Sequence, residues 1–245
     1  QCHGRIANCR IVNNLAELTG GGLDWCQAEI VNCTLAGNHA QFGGGFYGLG
    51  PDFSATIVNS IFWGNTASKG PQIALYSMAN PSALRVAYSD IQGGPDGVHV
   101  ETNCVLDYLG QANLAVDPMF MDPNGPDGLA STWSDNDWRL QVDSPCHNAG
   151  DPATVAIDEV DIEGQPRIQC GRIDIGADEL DAGLVVNCLP GDLNGDERVD
   201  LDDLALFAPA MTGPDGSSGG SGDIDGDGDV DLADYARLAE SVTAP

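Results

Sequence analysis

The sequence predicts a mainly β chain: a right-handed parallel β-helix over residues 1–187, then a small α-helical domain of two acidic loop–helix repeats over 188–245. Three observations predict it. Segments built around Ile6, Ile30 and Ile57 repeat one pattern at offsets of 24 and 27 residues, a period that marks a solenoid. Within each copy the apolar alternation slips phase at an Asn, which implies a bend rather than one straight strand. Near the C-terminus, residues 192–203 and 223–234 share one twelve-residue carboxylate pattern at an offset of 31.

The repeat comes first in the chain. "ANCRIVNN", "VNCTLAGN" and "VNSIFWGN" align Asn8 with Asn32 and Asn59, Cys9 with Cys33 and Ser60, Ile11 with Leu35 and Phe62, and Asn14 with Asn38 and Asn65. Gly-rich stretches follow the first two copies, "TGGGL" at 19–23 and "FGGGF" at 42–46. A weaker fourth copy, "LRVAYSDIQGG" at 84–94, keeps Val86, Ser89 and Ile91. Asn tolerates the left-handed backbone of a sharp bend, and its amide can bond to the next copy in a stack. Asn8 and Asn14 are therefore expected at two corners of each coil, with the Ile and Cys/Ser columns inside. Such a column of identical residues is structural rather than catalytic.

Two pairs of cysteines, Cys9 with Cys33 and Cys2 with Cys26, fall 24 residues apart and are expected as stacked neighbours. Adjacent strands lie about 4.8 Å apart, within reach of a disulfide, and buried free thiols are the equal alternative. Of the other four cysteines, Cys146 and Cys170 form the favoured pair. No CxxC or paired-His spacing suggests a metal site at cysteine.

Charge is strongly one-sided, with 37 Asp plus Glu against 9 Lys plus Arg in 245 residues. Nucleic acid is excluded as a default partner, because phosphate binding needs a basic face. Residues 1–106 hold 7 acids and 4 bases, 107–187 hold 16 and 3, and 188–245 hold 14 and 2. The excess thus belongs to the C-terminal half and suggests bound cations there. No run approaches the 18 or so apolar residues of a membrane span. Eight cysteines and a single lysine, Lys69, fit an exported, extracellular or cell-surface chain.

The middle segment carries "AVDPMFMDPNGPDG", "DWRLQVDSPCHNAGDP" and "DEVDIEGQPRIQCGRIDIGADE". In that order these motifs resemble the C-terminal end of β-helix proteins of the choice-of-anchor Q type, over roughly residues 84–180. The resemblance implies an exported bacterial protein with a sorting or anchoring module behind the helix. "WRLQ" alternates like a coil strand, with Leu140 inward. "DIGADE" at 174–179 is expected to cross the last coil as a cap. Arg139, Arg167 and Arg172 are expected to fix loops as buried or half-buried ion pairs.

The two acidic loops carry the metal chemistry. Calcium takes six to eight oxygens, and a twelve-residue loop delivers them from alternate positions. The first loop offers Asp192, Asn194, Asp196, the Arg198 carbonyl, Asp200 and Asp203. The second offers Asp223, Asp225, Asp227, the Asp229 carbonyl, Asp231 and Asp234. Val199 and Val230 stand at the eighth positions, where apolar residues join the pair across a core. Two calcium ions are expected. The segment 191–242 resembles a type I dockerin, which implies a cohesin-like partner. Two departures stand out. Glu197 replaces the turn glycine of the first loop, which predicts a weaker site. Leu201 with Asp202, and Leu232 with Ala233, occupy positions where dockerins often carry Ser or Thr for cohesin recognition. The module is therefore open to packing on its own β-helix or on a neighbouring copy.

Catalysis on a polysaccharide needs paired carboxylates, or a cation clamp with a base, on an exposed face. The repeat offers Glu17, Asp24, Glu29, Asp52, Arg10 and Arg85, which share no column; only Glu29 and Arg5 are neighbours one coil apart. His3, His39, His99 and His147 are scattered. No catalytic residue is assigned. The expected function is an exported, calcium-stabilised structural or cell-surface protein. The alternative is a carbohydrate-active β-helix, a lyase or hydrolase, docked to a larger complex. Gln1 to Ile6 already match Trp25 to Ile30, so the first coil lacks a cap. Either residue 1 is an artificial cut or something covers that end, another copy being the simplest cover; if the copy's C-terminal region does so, the contact is head-to-tail, and an unclosed contact of that kind builds a filament.

Overall fold

The computed structural model describes residues 2–50, 52–78, 80–108, 112–128, 135–154, 159–168 and 172–180. In the C-terminal module it describes Val199, Leu204, Phe207, Val230 and Leu232–Ser241. Three parallel sheets form a β-solenoid of about four turns. The first sheet holds β1 (Cys2–Ala7), β4 (Cys26–Val31), β7 (Ser54–Val58), β10 (Ala83–Ala87) and β13 (Val105–Tyr108). The second holds β2 (Arg10–Val12), β5 (Thr34–Ala36), β8 (Ile61–Trp63) and β11 (Asp90–Ile91). The third holds β3 (Leu23–Asp24), β6 (Phe46–Gly48), β9 (Ile73–Leu75) and β12 (Val98–Val100).

Register follows the repeat. Ile6 pairs with Ile30, Ile30 with Ile57, and Ile57 with Val86. Cys2 is the register partner of Cys26. Period-two alternation puts Cys26, Ala28 and Ile30 inside while Glu29 faces out. With Leu35, Phe46, Ile57, Phe62, Ile73 and Leu84 they make one continuous core. The first coil is more open than its copies: Ile6, Cys9 and Ile11 are half-buried, whereas Ile30, Cys33 and Leu35 are fully buried.

The two Asn columns do different work. Asn8, Asn32 and Asn59 supply the bend, with φ of 52°, 51° and 48°. Directly after the bend, the Cys/Ser column ties the corners together. Ser60 Oγ accepts from the Cys33 amide at 3.1 Å, and Ser89 Oγ accepts from the Ser60 amide at 3.1 Å. Each hydroxyl in turn donates to the carbonyl two residues back, at 2.8 Å. Cys9 and Cys33 are free thiols in the same stack, so no bridge joins them. The Cys33 thiol, hydrogen-bonded to Cys9, holds the Cys9 thiol down to about 6.

At the second corner the left-handed residue is Asn13, Gly37 or Gly64, one position before the expected Asn. Asn14, Asn38 and Asn65 instead form the amide ladder. Asn38 Oδ1 accepts from the Asn14 backbone and side chain at 3.0 and 2.9 Å. The Asn38 side chain donates to Asn65 Oδ1 at 3.0 Å and to the Ile11 carbonyl at 2.8 Å. The Gly stretches stack because no side chain fits between coils. A Cβ on Gly44 would lie 2.5 Å from the Thr66 carbonyl oxygen and 2.6 Å from that of Pro71.

A paired substitution checks this division of labour. Asn38→Ala strips the partners of the Ile11 carbonyl and the Asn14 amide, and is expected to cost about 3 kcal/mol. Asn32 is equally buried, yet its side-chain amide has no hydrogen-bond partner. Asn32→Gly keeps the left-handed bend and removes a desolvated amide, so it is expected to cost under about 1 kcal/mol. Denaturant midpoints that rank the two in the opposite order would refute the assignment.

Leu114 still bridges Asp90 in parallel, but beyond it the described residues up to 180 depart from the expected coil path. β14 (Phe120–Asp122) pairs antiparallel with β15 (Asp137–Leu140), so "WRLQ" is a hairpin strand rather than a coil strand. Leu140 is buried, but in a second core on the outer face of the second sheet, with Ala36, Ile61, Phe120, Trp138, Cys146 and Ile175. "DIGADE" lies on the same flank and does not close the last coil. The Ala177 amide donates to Thr34 Oγ1 at 3.1 Å, and the Gly176 amide to the Asn59 carbonyl at 2.9 Å. Gly176 is required there: its φ is 122°, and a Cβ would meet Ile61 at 2.9 Å. The small outward residues Thr34 and Ala36 leave the room that this return segment fills.

Candidate functional site

In the C-terminal module, Val199 and Val230, the eighth residues of the two loops, pack with Phe207 and Leu238 in one buried core, with Leu204 against it. Helix α1 (Leu232–Ser241) buries Leu238 and leaves Arg237 exposed. The Phe207 and Tyr235 rings stand 6.1 Å apart. Asp234, the twelfth residue of the second loop, lies in the first turn of α1 and is fully buried. A buried carboxylate needs compensating donors or a cation, and a helix N-terminus favours negative charge. This arrangement fits a calcium loop whose last ligand opens a helix. The other expected ligands, Asp192, Asn194, Asp196, Arg198, Asp200, Asp203, Asp223, Asp225, Asp227, Asp229 and Asp231, lie outside the described residues. So do Glu197, Leu201 and Asp202, and the expected division after residue 187. Ala233, at a recognition position, is exposed.

The return segment gathers the buried charge. Arg167 is fully buried and pairs with Glu179 at 3.0 Å, both side chains being at most 2% exposed. Its guanidinium also donates to the Asp174 and Gly176 carbonyls, both at 3.1 Å. Glu179 accepts from the Asp174 amide at 3.0 Å. Asp174 accepts from the Asn148 amide at 2.7 Å and the Leu180 amide at 2.8 Å. Asp161 accepts from the amides of Glu163, Gln165 and Glu179. Only Arg167 matches the expected buried ion pair. Arg139 is exposed and closes on Asp137 at 2.6 Å, while Arg172 reaches the Asn148 carbonyl. Cys146 is a free buried thiol directed at Asp90, 3.5 Å away, so it is not bonded to Cys170, which lies outside the described residues.

Polar contacts fasten this segment along the flank. Asn59 exchanges hydrogen bonds with Asp151 at 3.0 and 2.8 Å and donates to Thr154 at 2.7 Å. Asn8 donates to Glu159 at 2.8 Å, and Arg5 pairs with Glu159 at 3.2 Å. Arg5 also meets Glu29 at 3.7 Å, the cross-coil neighbour expected from the repeat.

Burial controls ionisation here. It pushes Asp90 from 3.8 up to about 7, against the pull of the Val116 amide. Burial, with Glu163 and Asp161 nearby, takes Asp178 from 3.8 to about 7. Burial and the Asp174 charge raise Glu179 above its ordinary value, and the Arg167 guanidinium at 3.0 Å opposes them and holds the pair ionised. At Asp90 and Asp178 the folded chain keeps a proton that the unfolded chain releases. Stability therefore falls as pH climbs from about 4 to 7 through Asp90 and Asp178. The calcium-loaded chain is expected to melt several degrees lower at about pH 8 than at about pH 5. Asp90→Asn should flatten that slope; an unchanged slope in differential scanning calorimetry would contradict the assignment.

A parallel β-solenoid followed by a helical module with acidic loops defines the class: a repeat body carrying a calcium-binding appendage. Residues 190–243 match the family model of the dockerin type I domain. Dockerin type I domains bind calcium and dock to cohesin partners in extracellular or cell-surface complexes. No curated protein and no solved structure matches the chain. The resemblance of residues 84–180 to choice-of-anchor Q proteins rests on its motifs alone. Among the described residues, no helix is long and apolar enough to cross a membrane.

Sequence reasoning missed the flank. The available signal was Trp63, which breaks a column otherwise occupied by Val12 and Ala36.

Proposed function

We propose that this chain is a non-catalytic subunit of an extracellular complex. The dockerin-like module, folded by two calcium ions, attaches it, and the solenoid is the rigid body it presents. The carrying observation is how the shifted carboxylates are employed. Of the carboxylates that burial raises, Asp90, Asp174 and Glu179 each accept backbone amides that fasten the return segment to itself or to the solenoid, while the Asp178 Oδ1 is buried with no partner among the described residues. Groups used in this way are structural fasteners rather than acids and bases for a substrate.

The test has two arms. With calcium, the intact chain should bind at least one cohesin in a surface-plasmon-resonance panel, and chelation should release it. Incubation with neutral and acidic polysaccharides should yield neither new reducing ends nor unsaturated products. Turnover of any of them would overturn the non-catalytic reading and favour the lyase or hydrolase alternative.

Assembly is the second reading. Leu15 and Leu18 stand exposed on the first coil, and this reading commits to a second copy as the partner that covers them. Sedimentation velocity with calcium should then show species that grow with concentration; a concentration-independent monomer would refute it.

A further inference from the structure

A cleft of about 480 Å³ opens between the second sheet's corner and the β14–β15 hairpin. Its size falls within the roughly 300–1,000 Å³ of small-ligand sites. The solenoid contributes Trp63 and the side-chain-free backbone of Gly37 and Gly64. The hairpin contributes Phe120 and Trp138, locked edge-to-face at 5.2 Å and 75°. Asp117 also lines the cleft, and so does Gln141, held by its hydrogen bond to the Phe120 carbonyl at 2.9 Å.

We propose that this cleft binds a neutral oligosaccharide. A pyranose ring has apolar C–H faces and a girdle of hydroxyls. The half-buried Trp63 offers a flat apolar surface for such a face, beside the fixed Trp138–Phe120 pair. The exposed Asp117 and Asn124 stand where hydroxyls need partners. Charge selects among sugars. Asp117 is the single charged residue of the lining, no cation faces it there, and the chain carries a net charge of −28. A uronic-acid polymer would therefore be repelled, whereas a neutral sugar pays no such penalty. The same absence of a counter-charge disfavours an acidic peptide.

Trp63 is the residue to change, because Trp138 and Phe120 belong to the buried flank core while Trp63 is partly exposed. Calcium-loaded full chain is titrated by calorimetry and tryptophan fluorescence with cellotetraose, xylotetraose and mannotetraose, and with tetragalacturonate as the anionic comparison. At least one neutral tetrasaccharide should bind. Trp63→Ala should weaken it roughly tenfold, and Trp63→Phe should recover part of the loss. Circular dichroism and the melting temperature establish that both variants fold; should Trp63→Ala not fold, Asp117→Ala, at an exposed position, replaces it with the same expectation of weakened binding. The proposal fails if none of the neutral sugars binds at millimolar concentration, if tetragalacturonate binds more tightly, or if the folded variants bind as the parent does. Cohesin docking and turnover are measured separately, so failure here leaves the proposed function standing.

Discussion

Chelating calcium from the intact chain should unfold residues 190–243 and leave the solenoid folded. The reason is electrostatic. Residues 188–245 hold 14 acids against 2 bases, most of the acids within two short loops. Without a cation these carboxylates repel one another, and the small core of Val199, Phe207, Val230 and Leu238 has little apolar area with which to resist. Metal-binding free energy is then folding free energy. The solenoid has no such debt, since its described core runs continuously from Cys26 to Val98. Calorimetric titration of the chelated chain should count two ions, and Asp223→Ala should reduce the count to one. Loss of α1 helicity on chelation should accompany an unchanged β signal. A count of two in Asp223→Ala would dismiss the loop assignment, and retained helicity after chelation would dismiss the coupling.

Arg167→Met should be the most damaging single substitution on the flank, at about 3–5 kcal/mol. It leaves Glu179 among Asp161 and Asp174 with no buried cation, and it removes the donors that hold the Asp174 and Gly176 carbonyls. Adding Glu179→Gln removes the stranded charge and should restore a large part of the loss, because a buried ion pair is costly to break but not costly to replace. Equilibrium denaturation of the two variants and the parent measures both effects. Additive losses in the double variant would mean that Arg167 and Glu179 do not act as a pair. The unfolding event should also expose the Cys146 thiol, which is buried in the parent. Its rate of alkylation offers a local readout.

Strand registers and the first coil corner were legible in the sequence. Ile6, Ile30 and Ile57 stack as their offsets require, and Asn8, Asn32 and Asn59 take the left-handed bend that the phase slip implied. The second corner was misread by one residue. Gly37 and Gly64 interrupt the Asn13 column, so the conserved-looking Asn14 column drew attention instead. That column turned out to be the hydrogen-bonding ladder. The path of the described residues beyond Leu114 was not legible. "WRLQ" has the alternation of any half-buried strand, and alternation does not say whether the strand joins a coil or a hairpin. The cleft followed from that same error, because it exists only where the hairpin meets the Trp63 corner.

The sequence by itself determined the solenoid's period and its interior columns. Each of these depends on local or nearest-neighbour contacts repeated at a fixed spacing, which write themselves into the chain as periodicity. Only the tertiary structure decided where the return segment lies. Its contacts are single and distant, from Arg5 to Glu159, Asn59 to Asp151 and Thr34 to Ala177. Such contacts depend on which outward surface happens to be small enough and polar enough to be covered. Thr34 and Ala36 supply that surface, and a residue pairing made once across more than 90 positions leaves no repeating mark in the sequence.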